Sequence, residues 1–195
     1  MITNGLRIRK LSNLRSLISR AASGWPRNTA QAGSGYTLTK IICGGQTGAD
    51  TGALLAARQL DIETGGFAPR GWLTENGPQE ENLRRFGLIE CDEPGYPPRT
   101  RANVLHSDGT LLVGNDQIGG TRLTDEIATE LRKPLFRISF EVADESNTGI
   151  ASLEEFRSWL DRHRIEILNV AGNRESEKPG IAEFTRAFLI NAMRK

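Results

Sequence analysis

The amino-acid sequence predicts an α/β protein, a Rossmann-like three-layer sandwich with a mostly parallel sheet. From about residue 36 onward, short apolar runs alternate with helical patterns, which is typical of βαβ units. Glycine-rich segments follow several of these runs, at the points where a strand would turn into a helix. With 195 residues, 37% hydrophobic and 25% charged, the chain is expected to form one well-buried domain.

Each element follows from the spacing of its apolar residues. In chain order, the predicted strands are TKIICGG, ETGGFA, FGLIEC, GTLLVG, LFRISF and EILNVAG, of which ETGGFA is the weakest. The predicted helices run over 49–60, 99–106, 121–132, 152–162 and 180–193. Helices that connect parallel strands cover both faces of a sheet, and this completes the three layers.

A separate basic segment, residues 1–35, precedes the predicted ligand-binding domain of residues 36–195. It holds six of the 25 basic residues and none of the 24 acidic ones, which leaves 19 basic against 24 acidic residues, a net charge of −5, in the domain. We expect a disordered N-terminal extension. Its Arg-rich, Ser-rich and acid-free composition also resembles an organellar transit peptide. The predicted location is the cytoplasm, or an organelle if the segment is a transit peptide.

Composition argues against several other classes. The domain has a net negative charge and so lacks the excess of basic residues that is typical of nucleic-acid-binding proteins. The chain also contains no apolar run of transmembrane length. Two cysteines and two histidines give neither a disulfide framework nor the ligand spacing of a metal site. We therefore predict no nucleic acid, no membrane and no tightly bound metal.

Three glycine-rich loops are predicted to meet at one edge of the sheet. GGQTGAD, GNDQIGGT and AGNRESEKPG each follow a strand, and ligands of open parallel sheets bind at the carboxyl ends of the strands. By contrast, SDGT precedes a strand and is expected to be a turn at the opposite edge. Each helix N-terminus favours an anion by roughly 0.3–1 kcal/mol, and by up to about 2 kcal/mol when partly buried. No loop matches a Walker A or GxGxxG motif, so a small phosphorylated ring compound is the predicted ligand.

The predicted ligand-binding residues lie in these loops or beside them. They are Gly44, Gly45, Gln46, Thr47, Asp50, Arg70, Arg99, Asn103, Gly119, Gly120, Thr121, Gly172, Arg174 and Glu175. Thr47 and Asp50 are equally suited to capping the first helix, whereas Gln46 has no such structural explanation. The sequence offers no nucleophile beside a base and no paired carboxylates in one motif. Binding is therefore favoured over catalysis, and no catalytic residue is assigned.

Several ordered motifs resemble those of the putative molybdenum carrier family. They are IICGGQTGAD, GGFAPRG followed by ENG, RTRANV-x-x-SDGTLL, GGTRLT with a following KP-L, and LNVAGNRESEKPGI, and they span roughly residues 39–193. The family belongs to a Rossmann-like group with phosphoribohydrolases once labelled lysine decarboxylases and with DNA-processing proteins. The resemblance implies a homo-oligomer, a dimer or tetramer, that binds a nucleotide-like or pterin-phosphate ligand. Molybdenum cofactor is the named candidate.

The alternative is a nucleoside monophosphate phosphoribohydrolase. Those enzymes carry PGGxGTxxE with an essential glutamate, and IGGTRLTDE places Gly119, Gly120 and Glu126 on the matching positions. Isoleucine replaces the proline, Arg122 replaces the third glycine and Leu123 replaces the threonine. Arg122 and Glu126 are also four residues apart, the spacing of an ion pair on a helix surface.

Overall fold

A computed structural model describes residues 38–114, 119–140 and 148–194, and it confirms the predicted fold class. The strands are β1 (Lys40–Ile42), β2 (Glu63–Ala68), β3 (Leu73–Thr74), β4 (Gly77–Pro78), β5 (Leu88–Glu90), β6 (Gly109–Val113), β7 (Leu135–Ile138) and β8 (Ile167–Gly172). The helices are α1 (Ala49–Gln59), α2 (Glu80–Arg85), α3 (Tyr96–Leu105), α4 (Gly119–Glu130), α5 (Thr148–His163) and α6 (Ile181–Met193). The expectation for residues 1–35 falls outside the described residues.

Six strands form one parallel sheet in the order β5-β2-β1-β8-β6-β7. The last strand, β8, lies in the middle, where Ile42 of β1 is in register with Asn169 and Val113 of β6 is in register with Gly172. Consequently the loops that follow β1, β8 and β6 leave three neighbouring strands at the same edge.

Apolar side chains hold helices against both faces of the sheet. The larger cluster joins β1, β6 and β8 to α1, α5 and α6, with Phe156 and Leu168 fully buried. A second cluster joins α3 to α4 through Val104 and Ile127. Because crossovers between parallel strands are right-handed, helices whose connections run in opposite directions along the sheet lie on opposite faces. The two clusters agree with this rule.

A close contact between α1 and α6 brings their preceding loops together. At Gly52 in α1, a Cβ atom would lie 2.2 Å from the Ala182 carbonyl oxygen of α6. Only glycine permits this approach, which is closer than a side chain allows. The loops before the two helices, from β1 and from β8, therefore lie side by side.

The sequence prediction missed a small excursion between β2 and β5. Here the chain forms a turn of 3₁₀ helix at Arg70–Trp72, the β3–β4 hairpin and the six-residue helix α2. Strands of two residues and a helix of fewer than two turns carry too few residues to show a period. The helix α3 begins at Tyr96 rather than at 99, because prolines are tolerated in a first helical turn.

Two further predictions concern the amino edge of the sheet and the membrane. Asp108 accepts hydrogen bonds from Glu166 N at 2.9 Å and Ile167 N at 2.7 Å, which confirms a structural role for SDGT away from the glycine loops. In the part of the chain that the structure describes, every helix is too short or too polar to cross a bilayer.

Candidate ligand-binding site

The loops after β1, β6 and β8 are in direct contact. Ala49 N donates a hydrogen bond to Asn173 O at 3.2 Å, and Asn173 N donates to Val113 O at 3.2 Å. Gly48 adopts φ 73° and ψ −124°, and a Cβ there would lie 2.3 Å from Asn173 O. The predicted convergence of the three loops at one edge is therefore observed, although residues 115–118 of the β6 loop lie outside the described residues.

A buried carboxylate occupies the turn that follows β1. Asp50 Oδ2 accepts hydrogen bonds from Gly44 N at 3.1 Å and from Gln46 N at 3.0 Å, and the residue is only 3% exposed. Gly44 and Gln46 were predicted to bind the ligand. In the structure these N–H groups instead bind Asp50, so they are not free to bind an anion.

Arg99 of α3 supplies the nearest cation. Its Nη1 lies 3.7 Å from Asp50 Oδ2, and its guanidinium covers Gly44, where a Cβ would come within 1.7 Å of Nη1. A side chain at 44 would therefore have to displace the guanidinium. Arg99 Nε is buried and has no hydrogen-bond partner among the described residues.

A second arginine and an aromatic ring lie beside this pair. The guanidinium carbon of Arg174, from the loop after β8, lies 5.2 Å from the centroid of the Tyr96 ring, and that of Arg99 lies 5.8 Å away. Both distances fall within the range of cation–π attraction. Two predicted residues from distant parts of the sequence are thus brought together around Tyr96, which the sequence analysis did not single out.

Gln46 is buried and joins the first loop to the β3–β4 hairpin. Its Oε1 accepts hydrogen bonds from Thr47 N at 3.1 Å and from Glu75 N at 2.8 Å, a structural role that the sequence did not reveal. Its Nε2 has no partner among the described residues. Glu75 also approaches the loops through its carboxylate, which accepts hydrogen bonds from the hydroxyls of Thr47 and Ser176.

Burial controls the ionisation of the acidic groups in this turn. It raises the pKa of Asp50, and the charge of Arg99 and the N–H groups of Gln46 and Gly44 oppose that rise without cancelling it. Burial also raises the pKa of the Cys43 thiol well above its ordinary value, and the charge of Asp50 raises it further. Cys43 is therefore a protonated core residue and not a nucleophile.

The raised pKa of Asp50 predicts a pH-dependent stability. As pH rises above 3.8, Asp50 ionises first in the unfolded chain, so the free energy of unfolding falls until pH passes the raised folded pKa. Asp50→Asn lacks this ionisation. We expect the wild-type free energy of unfolding, minus that of Asp50→Asn, to decrease with pH across this window in urea denaturation. A difference that stays constant from pH 3.5 to pH 7 would contradict the prediction.

Other predicted residues have structural roles. Asn103 is buried and binds the β2 backbone, accepting from Phe67 N at 2.9 Å and donating to Phe67 O at 3.0 Å. The carboxylate of Glu175 accepts from Gly180 N at 2.5 Å and Ala182 N at 3.1 Å at the start of α6. At Gly172 a Cβ would lie 2.3 Å from Val113 O. Gly45 has φ 72° and faces Leu83 and Leu88, so core packing explains this glycine.

The remaining predicted residues differ in their exposure to solvent. Arg70 is exposed and makes no hydrogen bond or ion pair with the described residues, whereas Thr121 is buried at the start of α4. A Cβ added to Gly119 or Gly120 would meet nothing within 4 Å. On the same helix, Glu126 pairs with Arg122 at 2.8 Å, and both side chains are more than half exposed. The predicted surface ion pair is confirmed, and Glu126 lines a groove between α3 and α4.

Comparison with known proteins identifies the family. Residues 41–193 match the model of the circularly permutated YpsA SLOG family, cpYpsA. The chain belongs to this family. A crystal structure of a putative molybdenum carrier protein from Syntrophus aciditrophicus SB is similar to the cpYpsA chain, with a TM-score of 0.74 and 36% sequence identity. The match covers 82% of this chain and 97% of the other. The comparison with curated proteins gives no match.

The strand order of this cpYpsA chain is one that a circular permutation would turn into a simpler order. As observed, the last strand β8 lies between β1 and β6, so the chain returns to the middle of the sheet at its end. If β8 and α6 came first in the sequence, each step along the sheet from β8 through β1 and β2 to β5 would follow chain order. The single reversal would then fall between β8 and β6, at the loops described above, where open sheets bind ligands.

Proposed function

We propose that the protein binds and carries a small phosphorylated ligand at the edge formed by the loops after β1, β6 and β8. The observation that carries the proposal is a pair of buried N–H groups, Gln46 Nε2 and Arg99 Nε, without partners among the described residues. A buried donor without a partner costs about 1–3 kcal/mol. A ligand that accepts from these groups would recover that cost on binding.

The charges around these donors suit a phosphate. The guanidinium groups of Arg99 and Arg174 both lie over the Tyr96 ring. A guanidinium can donate two parallel hydrogen bonds to phosphate oxygens. Two nearby carboxylates are already bound: Asp50 by Gly44 N, Gln46 N and Arg99, and Glu75 by the hydroxyls of Thr47 and Ser176. Tyr96 adds an aromatic surface for a ring attached to the phosphate.

Molybdenum cofactor, a pterin with a phosphate group, is the candidate cargo. The name of the Syntrophus aciditrophicus protein supports a molybdenum-related ligand. The donors described above fit the phosphate. Within the described ranges no three His, Cys, Asp or Glu side chains are grouped to hold a metal ion, so the metal would be bound by atoms of the cofactor itself. A nucleotide-like ligand offers the same phosphate and an aromatic ring. The homo-oligomer and the cytoplasmic location remain parts of this proposal.

The proposal predicts that the protein retains its ligand during purification. Protein isolated from its own host is expected to release a phosphorylated pterin or nucleotide on denaturation, identified by mass spectrometry. Arg174→Met removes a cation beside Tyr96 and is expected to reduce the released amount at least about tenfold, since one charged hydrogen bond contributes about 1.5–3 kcal/mol.

Arg101→Met is the matched control. Arg101 also lies on the surface of the domain and pairs with Glu130 at 2.7 Å, but it belongs to the groove between α3 and α4. We expect this variant to retain the wild-type amount of ligand. Wild-type protein that releases no phosphorylated compound would contradict the proposed function.

A further inference from the structure

The carboxylate of Glu75 lies in a cluster of donors from two ligand loops. Its Oε1 accepts from the Thr47 hydroxyl and from Ser176 N at 3.4 Å, and its Oε2 accepts from the Ser176 hydroxyl. Thr47 belongs to the loop after β1, and Ser176 to the loop after β8. Both oxygens of one carboxylate are therefore bound by the edge that the proposed function assigns to a phosphate.

The electrostatic surroundings also favour an anion at this position. Burial raises the pKa of Glu75, but the hydrogen bonds from Ser176 and Thr47 and the charge of Arg174 outweigh burial and lower it overall. Glu75 is thus ionised at neutral pH, and the cluster is a place where the protein stabilises negative charge. Gln46, whose Nε2 lacks a partner, is adjacent, because its Oε1 accepts from Glu75 N and Thr47 N.

The backbone of the hairpin does not depend on these carboxylate contacts. Glu75 N is bound to Gln46 at 2.8 Å, Thr74 Oγ1 donates to Gly77 O at 2.8 Å, and Trp72 is buried in the core. Glu75 is only partly buried, at the exposed side of the loops. Its side chain can therefore leave the cluster by rotation while the hairpin stays in place.

We propose that Thr47 and Ser176 form a phosphate subsite, and that Glu75 occupies this subsite until the ligand's phosphate displaces its carboxylate. The proposal rests on the proposed function and assigns to the ligand a phosphate group at a defined place. Two hydroxyls and one backbone N–H offer three donors, all of which Glu75 engages in the structure. The three terminal oxygens of a phosphate monoester can accept one hydrogen bond each from the same donors. Glu75 thereby lowers the affinity for phosphate and keeps the empty loops together.

The test compares binding of inorganic phosphate and of AMP, by isothermal titration calorimetry, to wild type, Glu75→Gln and Glu81→Gln. Glu75→Gln removes the competing charge but keeps the size of the side chain. The apparent affinity is the intrinsic affinity multiplied by the fraction of molecules whose subsite is free. If Glu75 fills the subsite nine-tenths of the time, the variant is expected to bind about tenfold more tightly. Glu81 pairs with Arg85 on the exposed surface of α2, and its variant is expected to match wild type.

A second substitution tests whether the gain in phosphate affinity arises at the subsite. Ser176→Ala, added to Glu75→Gln, removes one donor hydroxyl of the subsite and is expected to return the affinity for phosphate toward the wild-type value. Circular dichroism checks that each variant is folded. Equal or weaker binding of phosphate and AMP by Glu75→Gln overturns the proposal, as does an unchanged affinity on adding Ser176→Ala.

These outcomes are distinct from failure of the proposed function. If wild type retains its co-purified ligand while Glu75→Gln gains no affinity, or no variant binds phosphate, only the subsite is wrong. If wild type retains no phosphorylated ligand, the proposed function fails, and the subsite that rests on it fails as well.

Discussion

Gly48→Ala is expected to lower the free energy of unfolding by about 3–5 kcal/mol, the sum of a strained backbone and an overpacked contact. The φ and ψ of Gly48, 73° and −124°, belong to a region that residues with a Cβ rarely adopt. The added methyl would also lie 2.3 Å from Asn173 O and 2.7 Å from Glu175 N. Both are backbone atoms of the loop after β8, so the two ligand loops would have to separate.

Thermal and urea denaturation of Gly48→Ala and Gly120→Ala measure this change in the free energy of unfolding. Gly120 is the second residue of α4, and a methyl group there would meet nothing within 4 Å. Alanine is the better helix former by up to about 1 kcal/mol, so this control is expected to be neutral or slightly stabilising. Equal stability of Gly48→Ala and wild type would show that the loops after β1 and β8 do not meet as described.

The fold could be predicted from sequence because its elements repeat one pattern. Each main strand, such as GTLLVG, is a short apolar run next to a helical pattern, and the right-handed crossover rule leaves few arrangements of such units. The order of the strands was not predictable in the same way. The central place of β8 depends on packing between α1 and α6, where Gly52 meets Ala182, and this contact joins residues 130 positions apart.

The position of the candidate site followed from the same topology, but the roles of individual residues did not. Glycine loops after parallel strands must share an edge, so the convergence of Gly48 and Asn173 was foreseeable. The sequence contains no sign that Asp50 folds back onto Gly44 N and Gln46 N, because a residue in a first helical turn is equally suited to solvent. Glu75 was missed because its hairpin has no periodic signal.

Arginines illustrate the same limit. Arg70, Arg99 and Arg174 were all predicted to bind the ligand because each lies after a strand. The structure separates them, because Arg99 is largely buried against Asp50 and Arg174 lies on Tyr96, whereas Arg70 is exposed. Burial depends on which helix covers the loop, and that is a property of the folded chain and not of the local sequence.

Arg99→Met is expected to have the largest effect on binding. The variant removes the cation nearest to Asp50 and the buried Nε that the proposed function assigns to a phosphate. Loss of a charged hydrogen bond of about 2–3 kcal/mol predicts about 30- to 150-fold weaker binding of AMP. Removing one partner of a buried ion pair costs about 3–5 kcal/mol, and we expect the low end here because two N–H groups still bind Asp50.

The double variant Asp50→Asn with Arg99→Met separates these two effects. Removing both charges leaves no unpaired ion, so the double variant is expected to be more stable than Arg99→Met alone, while its affinity for AMP stays low. Arg101→Met, two residues along α3, removes a half-exposed cation and is expected to change stability by less than about 1 kcal/mol. Calorimetry and urea denaturation of wild type, Asp50→Asn, Arg99→Met and the double variant test the cycle, with Arg101→Met as a fifth protein for control. If the double variant regained wild-type affinity, Arg99 would serve only to neutralise Asp50, and the phosphate would have to be bound by the other donors of the loops.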